Sequence, residues 1–148
     1  MKKVLFICHG NICRSPMGEF ILKDLVGKDP RFEIASAAVS REELGNPVYP
    51  PSRRELARHG ISCQGKQARQ VTAKDYAEYD YLICMDLSNV RNLMRIIGSD
   101  PEGKVHLMMD FTDTPGEVSD PWYTGDFART YDDILRGCQG LLAHMNHE

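Results

Sequence analysis

The sequence contains no stretch approaching the ~18 consecutive apolar residues that a membrane-spanning helix requires. Its N-terminal apolar segment is too short for an export signal and reaches Arg14 too soon. Positive charge is also in deficit, since the formal net charge is −3 at pH 7 and nucleic-acid-binding domains are usually basic. We therefore expect neither a membrane nor a nucleic acid as partner, and any attraction for an anion must be local.

Cysteine is present but lacks the spacing of a metal site or a disulfide scaffold. The five cysteines are an odd number, and no two of them have C-x-x-C spacing. We therefore predict a reducing, cytoplasmic environment and no metal or other cofactor. A G-x-x-x-x-G-K-[ST] loop is absent too, which argues against a nucleotide-binding module.

Short apolar segments alternate with segments of helical periodicity along the chain. A length of 148 residues suits one domain with a sizeable core, and we assign residues 1–148 to it. The alternation predicts an α/β fold: a single-domain four-stranded parallel sheet with helices on both faces. The predicted strands are 3–7, 32–37, 81–85 and 104–108, and five helices are expected, the last running from 126 to about 144.

Three segments with little periodicity follow predicted strands, namely 8–15, 37–51 and 112–125. In parallel sheets, ligands bind beyond the carboxyl ends of the strands. We therefore expect these three loops to meet at one edge of the sheet and to form the functional site.

The first of these loops has the composition of a phosphate-binding site. An apolar strand precedes it, and a helix is predicted to follow, with Ser15 as N-cap and Pro16 at the first helical position. Main-chain N–H groups and the helix dipole make such a junction attractive to anions. Gly10 and Asn11 both tolerate the positive φ that converging amides require. The predicted phosphate-binding loop comprises His9, Gly10, Asn11, Ile12, Cys13, Arg14 and Ser15.

Cys8 begins this loop and is the predicted nucleophile. A thiol at a helix N-terminus can have its pKa lowered from ~8.5 to roughly 3.5–7.5, which makes it a thiolate at neutral pH. Arg14 supplies a planar fork of donors for two phosphate oxygens. Ser15 can donate its hydroxyl hydrogen to the Cys8 thiolate and stabilise it as attacking and leaving group.

Transfer of a phosphoryl group to sulfur also needs a proton donor for the departing oxygen. Among the loop carboxylates, Asp120 stands out because Pro121 stiffens the chain after it and two aromatic residues follow. Trp122 and Tyr123 can form a wall for a planar substrate. The carboxylates from which it is selected are Asp110, Asp113, Glu117, Asp120 and Asp126.

The pattern Cys8-x-Gly-Asn-x-Cys-Arg-Ser-Pro, so close to the N-terminus, resembles the low-molecular-weight protein tyrosine phosphatase family. Further stretches agree in order and spacing over essentially all of the chain: Ser36-Ala-Ala, Gly45-Asn-Pro, Ala68-Arg-Gln-Val, Met85-Asp-x-Ser-Asn and Asp120-Pro-Trp-Tyr. The resemblance implies hydrolysis of phosphotyrosine through a phosphocysteine on Cys8, without metal. It places the general acid at Asp120, and it implies phosphotyrosine-containing proteins as substrates.

Several finer expectations come from the resemblance alone. It implies that Cys13 can form a disulfide with Cys8 under oxidation and so shield the nucleophile. It implies that Asn11, Ser15 and Ser36 share a hydrogen-bond network that supports the loop. Family tyrosines near position 123 can be phosphorylated, and only Tyr123 matches here.

Three positions depart from the family pattern. Lys66 stands where eukaryotic members often carry a histidine that joins the supporting network, so the network must be completed differently. His9 replaces an apolar residue and either lines the pocket mouth or is an exposed bystander. Glu42 lies where some relatives have an aromatic residue, so the predicted substrate wall consists of Ile12, Glu42, Trp122 and Tyr123.

Other functions remain to be weighed against a tyrosine phosphatase. Protein-arginine phosphatases usually have threonine where Ile12 stands, and the larger apolar side chain favours a phenyl ring. Thioredoxin-linked arsenate reductases need further closely spaced cysteines, which Cys84 lacks. A non-catalytic phosphate-binding module has no use for a reactive thiolate. We further expect inorganic phosphate or sulfate to occupy the loop and the protein to be a monomer or weak dimer.

Overall fold

A computed structural model describes all residues, 1–148. Four strands form one sheet in the order β2-β1-β3-β4, and every neighbouring pair is parallel. This arrangement confirms the predicted fold class. The strands are β1 (Lys2–Cys8), β2 (Phe32–Ala38), β3 (Tyr81–Cys84) and β4 (Val105–Leu107).

Six helices connect and cover the strands, together with a 3₁₀ turn at Met108–Phe111. None of the six combines the length and apolarity that crossing a membrane would require. They are α1 (Arg14–Val26), α2 (Pro50–Arg58), α3 (Ala73–Glu78), α4 (Leu87–Ile97), α5 (Pro121–Thr124) and α6 (Phe127–Asn146).

Strand β1 lies at the centre of the sheet and is buried on both faces. Val4 and Phe6 point into the larger cluster, which α1, α2 and α6 cover. Leu5 and Ile7 point into a smaller cluster on the opposite face, beneath α3 and α4. All four side chains are fully buried, and each contributes about 1.5–3 kcal/mol of transfer free energy. The carboxyl end of β1, where the functional loop begins, is therefore rigidly held.

Helix α1 approaches β1 closely because residue 18 is a glycine. A Cβ atom at Gly18 would lie 2.7 Å from Cδ1 of Phe6, closer than real carbon atoms approach. The close packing of Gly18 on Phe6 sets the distance of α1 from the sheet. It therefore also sets where the N-terminus of α1 lies relative to Cys8.

Two predicted boundaries were wrong for physical reasons. Helix α1 begins at Arg14 with Cys13 as its N-cap, since the Ser15 hydroxyl bonds to the Cys8 sulfur and to Asn11 rather than to the helix end. Part of the segment predicted as loop, 112–125, forms α5, because Pro121 suits a first helical position and Asp120 accepts a hydrogen bond from the main chain of Trp122. Its four residues are too few to produce a periodic apolar pattern.

Candidate active site

The Cys8 sulfur lies at the end of β1, directly against the first turn of α1. Its Sγ is 3.0 Å from Ser15 Oγ, and the Ser15 main-chain N–H donates to it at 3.4 Å. Cys8 is 3% exposed, so the protein encloses this residue almost completely. Hydroxyl and amide donors aimed at one sulfur favour its anionic form.

Asn11 determines the path of the loop. It is the only non-glycine residue with positive φ, at 59°, and its side chain is buried. Its Nδ2 donates to Ser15 Oγ at 2.8 Å and to Ser36 Oγ at 2.9 Å, while its Oδ1 accepts from the main-chain N of Arg69 at 3.2 Å. The structure thus brings together the three side chains that the resemblance assigned to loop support.

Gly10 does not have the positive φ predicted for it. The left-handed residue of the loop is Asn11 alone, since the turn needs only one. Gly10 serves close packing instead: a Cβ atom there would lie 3.3 Å from Cγ of Glu43.

Arg14 is almost completely buried and is held on two sides. Its Nη1 donates to the carbonyl of Val118 and its Nη2 donates to Asp86 Oδ2, both at 2.8 Å. Burial opposes the charge of the guanidinium, but the neighbouring Cys8, Asp120 and Asp86 outweigh it and raise the pKa of Arg14 above its usual value. A permanently charged, oriented guanidinium beside the sulfur is suited to grip phosphate oxygens.

The carboxylate of Asp120 lies above the same guanidinium. Its Oδ2 is 3.6 Å from Arg14 Nη2, and its Oδ1 accepts a hydrogen bond from the main-chain N of Trp122 at 3.0 Å. The side chain is one-third exposed, unlike the buried Cys8. Asp120 can therefore exchange a proton with a group leaving the pocket and with water.

Aromatic side chains flank the mouth of this pocket. Trp122 is 61% exposed, and its ring centroid lies 5.1 Å from that of Tyr49. The main-chain N of Tyr49 donates to the carbonyl of Ile12 at 2.7 Å, which brings this wall against the phosphate loop. Tyr123 is 85% exposed and points away from the core, so it is the less enclosed member of the predicted wall.

His9 and Glu42 form a polar section of the rim. His9 Nε2 is 3.0 Å from Glu42 Oε2, and both side chains are more than half exposed. The structure therefore places the predicted wall residue Glu42 beside the loop, where it is paired with the residue that departs from the family pattern.

Cys13 differs from Cys8 in its surroundings. Burial raises the pKa of Cys13 to about 12, although the Ser52 hydroxyl, which donates to its sulfur at 3.2 Å, acts in the opposite direction. Cys13 therefore stays a thiol near neutral pH. All five cysteines are free, and no group of three or more His, Cys, Asp or Glu side chains is placed to hold a metal ion.

The side of the site remote from solvent contains an acid that sequence reasoning missed. Glu19 on α1 is buried, and its Oε1 accepts from Ser36 Oγ at 2.5 Å. Lys66 Nζ lies 3.4 Å from the same oxygen and donates to the Ser36 carbonyl at 3.0 Å. Burial lowers the pKa of Lys66, while Glu19 acts to raise it. The only sequence signal for Glu19 is a lone acid between buried apolar residues of a helix.

Three other contributing residues were also missed or left without a role. Asp86 entered the sequence analysis only within the stretch Met85-Asp-x-Ser-Asn and had no role assigned, and Val118 contributes a carbonyl that no side-chain pattern reveals. Tyr49 could have been found, because it is the only aromatic residue in the loop 37–51. Together, a sulfur nucleophile, a buried guanidinium and a carboxylate above it form a site for cysteine-dependent chemistry on phosphate esters.

Comparison with known proteins agrees with this class of site. Residues 3–148 match the family model described as low molecular weight phosphotyrosine protein phosphatase. The chain therefore belongs to this family of enzymes, which confirms the resemblance drawn from its motifs.

Individual relatives match over nearly their whole lengths. The low molecular weight protein-tyrosine-phosphatase YfkJ of Bacillus subtilis is 37% identical over all of this chain and 98% of the relative. The low molecular weight phosphotyrosine protein phosphatase of Rattus norvegicus is 38% identical over 95% of this chain and 94% of the relative.

Solved structures agree as well. The crystal structure of YfkJ superimposes with a TM-score of 0.95 over 99% of this chain and 96% of that one. A protein tyrosine phosphatase from Entamoeba histolytica gives a TM-score of 0.91 at 27% identity, over 99% of this chain and 98% of that one.

Proposed function

We propose that this protein hydrolyses phosphotyrosine in proteins through a phosphocysteine intermediate on Cys8. The observation that carries the proposal is the position of Arg14, which has Cys8 and Asp120 as neighbouring charges and is fixed by two hydrogen bonds of 2.8 Å. Nucleophile, phosphate ligand and proton donor are thereby assembled before substrate arrives.

In the first half-reaction the Cys8 thiolate attacks phosphorus, and the bond from phosphorus to the tyrosine oxygen breaks. Arg14 and the loop amides bind the equatorial phosphate oxygens, on which negative charge is spread. The Asp120 carboxylic acid gives its proton to the departing phenoxide, so that tyrosine leaves as a neutral phenol. The products are a phosphocysteine and an ionised Asp120.

In the second half-reaction a water molecule attacks the phosphocysteine. The Asp120 carboxylate removes a proton from this water, and the sulfur–phosphorus bond breaks. Ser15 stabilises the returning thiolate with its hydroxyl and main-chain N–H, at 3.0 Å and 3.4 Å. Phosphate leaves, Asp120 is protonated again, and no metal takes part in either step.

The walls of the pocket support an aromatic substrate. The half-buried Ile12 lines one side, and the paired rings of Tyr49 and Trp122 stand beside it. A phenyl ring gains dispersion and stacking energy from such surfaces. The charged guanidinium of phosphoarginine gains little from an aliphatic neighbour such as Ile12. We therefore propose aryl phosphates rather than phosphoarginine as the preferred class.

We also propose the setting in which the site operates. Residues 1–148 act as one catalytic domain, as a monomer or weak dimer in the cytoplasm, and inorganic phosphate or sulfate competes for the loop. Cys13 is proposed as the redox partner of Cys8, and the position of Cys13 five residues along the same loop supports this role.

The nucleophile assignment is tested by Cys8→Ser. We expect loss of p-nitrophenyl phosphate hydrolysis while phosphate binding, measured by isothermal titration calorimetry, persists because the loop amides and Arg14 remain. Cys63→Ser, the same change at a buried cysteine outside the site, should keep its turnover. Hydrolysis by Cys8→Ser would disprove the mechanism, and faster turnover of phosphoarginine than of a phosphotyrosine peptide would disprove the substrate class.

A further inference from the structure

A continuous chain of hydrogen bonds connects the Cys8 sulfur to the ion pair between Glu19 on α1 and Lys66. Each link is between 2.5 and 3.4 Å long, and each of its side chains is mostly or fully buried. Starting from Cys8, it passes through Ser15, Asn11, Ser36, Glu19 and Lys66.

The direction of every donor along the first part of this chain is determined. The main-chain N–H of Arg69 can only donate, so the Asn11 amide must turn its oxygen toward it. Both amide hydrogens of Asn11 then point at the two serine hydroxyls. Each hydroxyl therefore accepts from Asn11 and must donate its own hydrogen elsewhere, and for Ser15 the remaining partner is Cys8.

Ser36 needs an acceptor in the same way, and Glu19 provides it at 2.5 Å. A carboxylate can only accept, which fixes the Ser36 hydroxyl, but a carboxylate this deeply buried needs a positive partner. Lys66 supplies a positive charge beside Glu19 and also donates to the Ser36 carbonyl. Lys66 therefore holds the main chain of Ser36 directly, and it holds the Ser36 side chain through Glu19.

We propose that Glu19 and Lys66 act as a positioning pair that orients Ser36 and Asn11 and thereby keeps the Ser15 hydroxyl aimed at Cys8. The proposed effect of this pair on turnover rests on the proposed phosphatase function. Neither residue touches the substrate.

The pair has an energetic signature that a merely structural contact lacks. Lys66→Met leaves the buried Glu19 carboxylate with Lys23 as its only cation, and Lys23 is 44% exposed and screened by water, whereas removing the charges at both 19 and 66 leaves no buried charge. A glutamine at position 19 keeps an oxygen that can accept from Ser36, and it needs no ammonium group. The double variant Glu19→Gln/Lys66→Met should therefore recover much of what Lys66→Met alone loses.

Lys23 provides a matched control on the same carboxylate. It is bound to the other oxygen of Glu19 at 2.6 Å, but its side chain is 44% exposed and it has no contact with Ser36. Lys23→Met removes an ammonium group of the same size by the same substitution. We expect it to leave both readouts described below within about twofold of the wild type, as for an exposed ion pair.

Two measurements are made on each variant. The first is kcat/KM for p-nitrophenyl phosphate, which Lys66→Met should lower by roughly tenfold or more, the effect of one disturbed hydrogen bond to a charged group. The second is the rate of Cys8 alkylation by iodoacetamide at pH 7, which should fall several-fold as the sulfur loses a hydrogen-bond donor. The other ionisable groups facing Cys8, namely Cys13, Arg14 and Cys84, are unchanged in these variants.

The proposal is overturned if Lys66→Met behaves like Lys23→Met, or if the double variant is no better than Lys66→Met. Should Lys66→Met fail to fold, Lys66→Arg takes its place. Lys66→Arg keeps the cation, so its kcat/KM and its rate of Cys8 alkylation should stay close to those of the wild type. A large loss in either quantity would overturn the proposal. Alkylation does not require turnover, so the positioning pair remains testable even if the wild type fails to hydrolyse aryl phosphates.

Discussion

Asp86 holds Arg14 with one oxygen and the start of α4 with the other, which makes it a sensitive position for substitution. Its Oδ2 accepts from Arg14 Nη2, and its Oδ1 accepts from the main-chain N of Asn89, each at 2.8 Å. In Asp86→Asn only one oxygen remains. If that oxygen keeps the helix cap, the new NH₂ group faces the donor hydrogens of Arg14.

The expected cost follows from these two contacts. Loss of the charge-assisted hydrogen bond to a 4%-exposed guanidinium should lower the free energy of unfolding by about 1.5–3 kcal/mol in Asp86→Asn. Asp86→Ala loses the cap as well, which adds about 1 kcal/mol. For a chain of this length, each kcal/mol corresponds to roughly 2–4 °C in Tm. Arg14 then keeps the Val118 carbonyl as its only hydrogen-bond acceptor, with Asp120 as a more distant charge. We therefore expect kcat/KM to fall by about 10- to 100-fold, equivalent to roughly 1.4–2.8 kcal/mol.

Urea denaturation and p-nitrophenyl phosphate kinetics measure the two effects separately. Asp126→Ala is the matched control, because Asp126 caps α6 through the main-chain N of Arg129 at 3.0 Å and has no bond to Arg14. It should lose about 1 kcal/mol of stability and keep its turnover. If Asp86→Asn is as stable and as active as the wild type, or loses no more than Asp126→Ala, then the anchoring of Arg14 has been misjudged.

Two other predictions concern the proton donor and the second cysteine. Asp120→Ala should slow hydrolysis of phenyl phosphate by ~10²–10⁴, and should slow hydrolysis of substrates with better leaving groups by less. Asp113 is an exposed acid on the same loop, and Asp113→Asn should leave turnover unchanged. Equal losses at both positions would reassign the acid. Because burial raises the pKa of Cys13 to about 12, brief iodoacetamide treatment at pH 7 should leave Cys13 unmodified by mass spectrometry, and rapid labelling there would contradict its assigned environment.

The sequence was sufficient for the parts of the site that are local in the chain. Cys8 and Arg14 are separated by one strand–loop–helix junction, whose apolar strand and six-residue spacing are visible without a structure. The parallel sheet followed from strands alternating with helices, since such connections leave few topologies open. Its boundaries were less secure: Ser15 has the residue type of an N-cap, but the same hydroxyl was already committed to Cys8.

The parts that could not be predicted depend on contacts distant in sequence. Asp86 lies 72 residues beyond Arg14, and Val118 lies 104 residues beyond it. Neither residue has a sequence feature that indicates Arg14 as its hydrogen-bond partner. Glu19 looks like an ordinary helix acid until β2 places Ser36 against it. Side-chain type and spacing report what a segment can do, whereas the partner of a buried polar group is decided by how separate elements pack.

Asp120 is the N-cap of the four-residue helix that contains Trp122, and its carboxylate accepts a hydrogen bond from the main-chain N–H of the tryptophan. A shift of the main chain at Trp122 therefore also moves the acid. A compound that entered between Trp122 and Tyr49 and displaced this short helix would carry Asp120 with it. Inhibition of this protein would then require no phosphate mimic, and an uncharged, membrane-permeable molecule could serve.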